Sequence, residues 1–433
     1  MKISAHLGKI SWSLADKGLY VLYGLVQLVQ IKSLPTDVYG VFSLLVALNT
    51  WIMIVSDGSA LAGIIQFGTN ELERPRLNAI ALTIHAIIVS LGAACVFILQ
   101  VPLTELFHEP RFVTVATMLP LYCLLTLPRM FCLKIIFRDM RMRDLFMIDM
   151  VWFGVRAIMT VLALQSHQLN TLADIIRIDF VGMGASSLTA LLLTRRQMKF
   201  SWQGTTSMKT YLQYGVPLAL ATALNSTPRQ LDVLVIAAFF NASVVGVYNS
   251  AKNLFRLFEQ AFDAVVTLLY PAAVRMIAQG RTTDLQVLIT KAISVTLLPT
   301  MLVVLAFELG GSQIIVWLLG QNYADAVGHF NVLILASLGM PFALMSSVIA
   351  AMGHSTIVGR FSAYSLIAGM SVLFAVCISG MAWAVGFGLV VNTIVVGALC
   401  TMYVRRTVHF SIRDLFRVVT DARSALAMLR GKK

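Results

Sequence analysis

Residues 77–100 read LNAIALTIHAIIVSLGAACVFILQ, a run with no charged side chain. A helix rises 1.5 Å per residue, so about 20 apolar residues cross the roughly 30 Å hydrocarbon core of a bilayer. This stretch is long enough to span. Eleven others qualify, at 10–32, 40–66, 112–134, 145–165, 174–194, 214–239, 244–274, 287–309, 329–352, 361–380 and 383–404. Each must be a helix, because lipid offers no partner to an unpaired backbone group. The composition agrees: of 433 residues, 58% are hydrophobic and 12% charged, against roughly 25% charged in a soluble protein. Mean hydropathy is +0.82. The first apolar stretch, 10–31, is too long for a secretory leader and is followed by no small-residue cleavage site, so it is expected to remain as span one. The fold class expected is all-α integral membrane, with about twelve transmembrane helices.

The net charge of +13 is explained by topology rather than by nucleic acid. With the N-terminus in the cytoplasm, 23 lysines and arginines fall on that side, Arg138, Arg141, Arg143, Arg195 and Arg196 among them, and only Lys32 and Arg111 on the other. Such a bias fixes orientation and supports an even number of spans. Both termini are then cytoplasmic. The tail after Arg406 interleaves basic residues with Phe410, Ile412, Leu415, Phe416 and Val419. It reads equally well as an interfacial helix on anionic lipid or as a solvated basic tail.

A faint repeat runs through the chain. Val38-Tyr39-Gly40-Val41-Phe42 opens span two, and Val244-Val245-Gly246-Val247-Tyr248 opens span eight. Two parallel six-helix lobes follow from this, residues 1–197 and 198–404, related by a pseudo-two-fold axis along the membrane normal, with 405–433 as the tail. The basic stretch Arg195–Lys209 is the natural linker.

Charges at membrane depth are costly, roughly 2.5–3.5 kcal/mol each at a lipid-facing mid-span position, and they mark pathways. Lys252, Arg256, Glu259 and Asp263 stand at i, i+4, i+7 and i+11 of span eight, one face of a helix. That stripe must meet protein or a watery cavity; internal ion pairs along the helix are the plainer account. Span seven repeats the pattern with Asn225, Arg229 and Asp232, beside Pro217 and Pro228, which are expected to interrupt the helix. Span five carries Asp149 and Arg156 on one face, and span one carries Asp16 and Lys17. Arg129, Lys134 and Arg177 lie near span ends, where snorkelling accounts for them. The substrate-binding candidates are thus Lys17, Arg156, Arg229, Lys252, Arg256 and Asn225. A cationic subset can hold a diphosphate, since Arg meets phosphate oxygens bidentately. The candidate coupling acids are Asp16, Asp149, Asp232, Glu259 and Asp263, able to carry protons or cations.

No phosphate-binding G-x-x-x-x-G-K-[ST] loop, H-E-x-x-H zinc motif or G-x-S-x-G elbow occurs. The five cysteines lie in apolar stretches without a CxxC pair, which gives neither a disulfide framework nor a metal site. A non-enzyme without a resident cofactor is expected.

The segment Leu34-Pro35-Thr36-Asp37-Val38-Tyr39-Gly40-Val41-Phe42-Ser43-Leu44 resembles the first corner of bacterial polysaccharide flippases. Asp57-Gly58 resembles that family's acidic-glycine step. Tyr214-Gly215-Val216-Pro217-Leu218, Asp232 and Val245-Gly246-Val247-Tyr248-Asn249-Ser250-Ala251 resemble the start of its second half, and Tyr270-Pro271 the end of its span eight. The resemblance covers most of the chain. It implies an O-antigen-type flippase of the polysaccharide transport family, within the superfamily of multidrug extruders and the lipid II flippase. What it implies further is a polyprenyl-diphosphate-linked oligosaccharide as cargo, moved from the cytoplasmic to the periplasmic leaflet of the bacterial inner membrane by alternating access. Proton or sodium coupling, and a polysaccharide polymerase and chain-length proteins as partners, stay open in this reading. The rival is a cation-coupled multidrug exporter of the same superfamily. Cationic side chains on several candidate faces lean against it.

Overall fold

The computed structural model describes the backbone of residues 3–408, and the side chains of that range apart from 3–10, 14, 221, 225–229, 264, 267 and 268. The tail with Phe410, Ile412, Leu415, Phe416 and Val419 lies outside the described residues. Every apolar run folds as a helix, the one single-segment structure that pairs all its own backbone groups in lipid. Twelve long helices follow one another among the described residues. They are α1 Ile3–Ser33, α2 Thr36–Phe67, α3 Arg74–Ile98, α4 Phe112–Arg138, α5 Met142–Gln165 and α6 Leu172–Thr194, then α7 Met208–Phe239, α8 Ala242–Ala278, α9 Thr282–Leu319, α10 Ala326–Ala351, α11 Ser355–Ile378 and α12 Phe387–Val408. Nine of them, α2 to α6 and α9 to α12, are long and apolar enough to cross a membrane. The chain is an all-α, multi-pass membrane protein. The other three, α1, α7 and α8, carry the charges that the sequence placed on spans one, seven and eight.

Two differences from the sequence reading have physical causes. Helices α8 and α9 run 37 and 38 residues, about 56 Å at 1.5 Å per residue; α8 extends slightly past the apolar stretch 244–274 and α9 well past 287–309. Their joined ends are polar: Gly280 turns at φ +66° and Arg281 Nε pairs with Asp284 Oδ2 at 2.6 Å. Helicity persists there without an apolar sequence. Conversely, α7 runs through Pro217 and Pro228 without a break, so the expected interruption is absent. A proline removes one N–H from the ladder, and a long helix can continue past it. Interruptions occur elsewhere: in α2, Asp57–Leu61 form a π-turn, a feature that recurs at functional sites, and α10 passes through turns at 337–339 and 344.

The described residues gather into two compact units: Met1–Ser250 with Leu318–Tyr323, and Ala251–Trp317 with Ala324–Lys433. In the first, Leu61, Ile64, Ile80, Phe131, Ile135 and Tyr211 pack a buried core where α2, α3, α4 and α7 meet. Lipid tails are as apolar as these side chains, so close van der Waals packing holds helices together here rather than exclusion of water. Small residues permit that closeness: a Cβ on Gly58 of α2 would lie 2.5 Å from Ala219 Cα of α7. In the second unit, Leu269, Ala273, Ile289, Ile293, Met345, Val348 and Val404 form the corresponding core.

The stretch 199–207 that leads into α7 is fastened to the start of α3. Glu73 accepts from the Thr205 amide at 2.8 Å, the Thr205 hydroxyl at 3.0 Å and the Thr206 amide at 3.1 Å. These bonds favour the carboxylate, the Thr205 amide most, and hold the group at about 2. Arg76 donates to the Thr206 carbonyl at 2.5 Å and to the Trp202 carbonyl. Asn78 Nδ2 donates to the carbonyls of Gln197 and Lys199, both at 3.1 Å.

Candidate functional site

Helix α5 presents Asp149, Trp152 and Arg156 at i, i+3 and i+7, one face. That face meets α1, α4 and α6, and each supplies a polar partner. Arg129 of α4 donates from Nη2 to Asp149 Oδ1 and from Nε to Ser186 Oγ of α6 at 3.0 Å. Ser186 in turn donates to the Ile148 carbonyl at 3.1 Å, which sets its lone pair toward the guanidinium. One step further along α5, Arg156 Nη2 stands 2.6 Å from Asp179 Oδ1 of α6. A Cβ on Gly182 would lie 2.4 Å from Arg156 Cγ, so the arginine stem passes over α6 only because that position is glycine. The Trp152 ring touches both guanidiniums, 4.5 Å from Arg129 Cζ and 5.4 Å from Arg156 Cζ, and the Tyr23 ring of α1, its centroid 6.3 Å from that of Trp152, lies 4.7 Å from Arg156 Cζ. Desolvated cation–π contacts of this kind are worth about 2 kcal/mol.

Both ion pairs are deeply buried, with side chains 7% and 3% exposed for Arg129–Asp149 and 5% and 1% for Arg156–Asp179. Asp16 of α1, also buried, places its carboxyl beside that of Asp149. Three carboxyls thus face two guanidiniums in one polar layer crossing a helical bundle that is otherwise apolar. The layer extends along α1 to Gln30, which donates to Thr160 Oγ1 at 2.6 Å.

The sequence candidates fall in different settings. Arg156, Asp149 and Asp16 belong to this layer. Lys17, beside it in sequence, is exposed and lies over the Tyr20 ring at 5.6 Å. Asp232 of α7 is buried and accepts from Tyr248 Oη at 2.6 Å and the Val233 amide at 2.7 Å. The side chains of Asn225 and Arg229 lie outside the described residues. In the second unit the α8 stripe grades outward: Lys252 is buried, Arg256 and Glu259 are half-buried, and Asp263 is exposed. Arg256 Nη1 donates to Asn253 Oδ1 at 3.0 Å.

Sequence reasoning missed Arg129 and Asp179. It gave Arg129 to snorkelling, whereas the side chain runs sideways into the bundle, toward Asp149. Asp179 was overlooked because the depth count began from lysines and arginines; the same count made for acids finds it five residues inside Asp174 on span six. Lys134 also turns inward, with Nζ 2.8 Å from Asp57 Oδ1 at the head of the π-turn. Arg177 is exposed, as snorkelling requires.

Residues 34–328 match the sequence family described as polysaccharide biosynthesis protein. No curated protein sequence matches the chain. Among solved structures, an inward-facing multidrug-resistance MATE-family transporter of the MOP superfamily is similar with a TM-score of 0.72 and 14% identity, over 90% of this chain and 94% of that one. The lipid II flippase MurJ in an inward closed conformation gives 0.71 and 12% identity, over 97% and 92%. A MOP-superfamily transporter from Pyrococcus furiosus gives 0.59 and 14%, over 93% and 94%. At such identities the likeness is one of fold: the chain has the fold of MOP-superfamily transporters.

Proposed function

The chain belongs to the polysaccharide biosynthesis protein family, and from that premise we propose that it is a flippase for a polyprenyl-diphosphate-linked oligosaccharide. The cargo is an O-antigen or other surface polysaccharide repeat unit, carried from the cytoplasmic to the periplasmic leaflet of the bacterial inner membrane with both termini cytoplasmic. The observation that carries the reading is the family match over 34–328 on a multi-pass chain that commits ionisable groups to membrane depth. A scaffold gains nothing from that cost. A glycan cannot cross hydrocarbon unaided. In this mechanism two six-helix lobes, 1–197 and 198–404, enclose it in a hydrated cleft while the lipid tail stays outside, and rocking of the lobes alternates access.

Lys17, Arg229, Lys252 and Arg256, with Asn225, serve as the diphosphate and glycan contacts, and Arg156 joins them when freed from Asp179. Asp16 and Asp149, two carboxyls side by side with one guanidinium, are the first coupling acids, with Asp232, Glu259 and Asp263 as the others. Proton or sodium binding at such an acid biases the two states only if its affinity differs between them. The polymerase and chain-length proteins that act on the delivered unit are the proposed protein partners.

The test is deletion, with analysis of surface polysaccharide and of lipid-linked intermediates in each leaflet. Stranding of the lipid-linked unit on the cytoplasmic side supports the proposal and identifies the cargo. Unchanged glycan, in a strain without a redundant flippase, refutes it and leaves the multidrug exporter, for which dye efflux is the assay.

A further inference from the structure

We propose that the α1–α2 corner, the α7–α8 corner and the segment Leu318–Tyr323 form a latch that parts in every transport cycle, with Gly40 and Gly246 as its contact and Tyr323 as its bolt. The first observation is a reciprocal crossing. A Cβ on Gly40 would lie 1.8 Å from the Ala242 carbonyl oxygen, and one on Gly246 would lie 1.9 Å from the Thr36 carbonyl oxygen. Ala242 precedes Gly246 by the same four residues that separate Thr36 from Gly40. Each corner therefore offers the other the same glycine and the same carbonyl, the mark of a two-fold axis passing between them. Polar contacts join the corners as well. Thr36 and Ser243 hydroxyls meet at 2.6 Å, and Asn249 Nδ2 donates to Ser43 Oγ at 2.8 Å and Tyr39 Oη at 3.3 Å.

The second observation is the bolt. Helix α1 ends at Ser33, and Pro35, with no N–H, separates it from α2. The Leu34 carbonyl is thus a helix-end acceptor that needs a donor from elsewhere. Tyr323 supplies it: its hydroxyl donates to Leu34 O at 3.1 Å and its ring stands edge-on to Tyr39, centroids 6.4 Å apart. Tyr323 and Leu319 are fully buried, and Gly320, at φ +88°, turns the chain above the Lys32 stem. Leu318–Tyr323 packs with the first unit, although Trp317 and Ala324 on either side belong to the second. A six-residue strap so placed is tied to the corners by the Tyr323 hydroxyl and by the Tyr323–Tyr39 ring pair.

All three pieces sit at the helix ends opposite the basic loops. Resting on the flippase reading, that is the end through which the glycan leaves, and backbones this close leave no passage. The corners touch through glycine backbone and a few hydrogen bonds, which can separate without unpacking the cores described above.

The experiment uses the full-length protein in proteoliposomes, with its five native cysteines replaced. Thr36→Cys with Ser243→Cys puts two thiols where hydroxyls touch, within reach of a disulfide. Oxidation is expected to cut flipping of a lipid-linked oligosaccharide at least tenfold, with recovery on reduction and with binding from the cytoplasmic side retained. Undiminished flipping by the cross-linked protein overturns the latch. If the folded, cysteine-free parent with native Thr36 and Ser243 flips nothing, the flippase reading fails instead. The latch is then judged by a readout free of substrate: Tyr323→Phe should raise labelling of Ser43→Cys by an impermeant maleimide several-fold, and unchanged labelling refutes it.

Discussion

Replacing Asp179 by Leu leaves the Arg156 guanidinium buried, 5% exposed, with no carboxylate. In the intact pair Nη2 stands 2.6 Å from Oδ1; taking the charge centres about 4 Å apart at an effective dielectric constant of about 20, the attraction is about 4 kcal/mol. Breaking a buried pair from one side typically costs about 3–5 kcal/mol, because the survivor's charge stays out of water unpaired. Asp179→Leu should therefore destabilise the protein by about that much. Arg156→Met should do the same and also lose the stacking on Tyr23 and Trp152. The double variant removes both charges and their desolvation cost together. It should stand within about 2 kcal/mol of the parent, the residue being chiefly the lost cation–π contacts. Unfolding in mixed micelles by titrated denaturing detergent measures all four corners of this cycle. Additive single effects, or an Asp179→Leu cost under about 1 kcal/mol, would show that the pair is not the electrostatic unit described here.

Further outcomes follow from other contacts. Glu73→Gln should loosen the strap 199–207, read as faster tryptic cleavage at Lys199 at neutral pH. Because the folded Glu73 carboxyl is depressed to about 2, its contribution is full above the ordinary carboxylate range and fades as pH falls toward 2. Amide-exchange protection of Thr205 and Thr206 should fade over that same interval, and protection that persists at pH 2 would contradict the assignment. Asp149→Asn should keep membrane insertion but abolish any dependence of flipping on a proton or sodium gradient; a gradient response like the parent's would remove Asp149 from the coupling acids. Charge reversal at Arg256 should abolish surface glycan at native expression with insertion intact, and normal glycan would exclude that residue from the cargo path.

The spans were legible because the bilayer imposes one length and one polarity on each, and 77–100 satisfies both by itself. The two five-residue corners that the sequence reads as a repeat also meet in the fold: at Gly40 and Gly246 each must be a glycine for the other's backbone to fit. What the sequence hid is pairing. Arg129 and Asp149 are 20 positions apart on different helices, and Arg156 and Asp179 are 23 apart. No helical periodicity connects them; only the packing of α4, α5 and α6 does. Tyr323 was invisible for the same reason, since its acceptor is a backbone carbonyl 289 residues away.

Pairing also divides the candidate cations by what they can do. A diphosphate meeting Arg156 must first displace Asp179 from a site where both side chains are almost wholly buried, and one meeting Arg129 must displace Asp149. Neither exchange can occur without opening the α4–α5–α6 packing around these buried pairs. Lys17 is exposed and Arg256 half-buried, its one described donation going to a neutral amide; a phosphate oxygen can replace that amide without stranding a buried carboxylate. Under the proposed flippase function, this difference suggests a division of work that we propose rather than observe. Arg129 and Arg156 hold α4, α5 and α6 in register through charges whose separation is expensive, and the proposed cargo contacts at Lys17 and at Arg256 carry no such cost. Arg156 enters only if the cycle itself opens its pair, which makes Asp179→Asn the informative substitution: it should weaken the rack yet leave initial capture of the lipid-linked substrate unchanged.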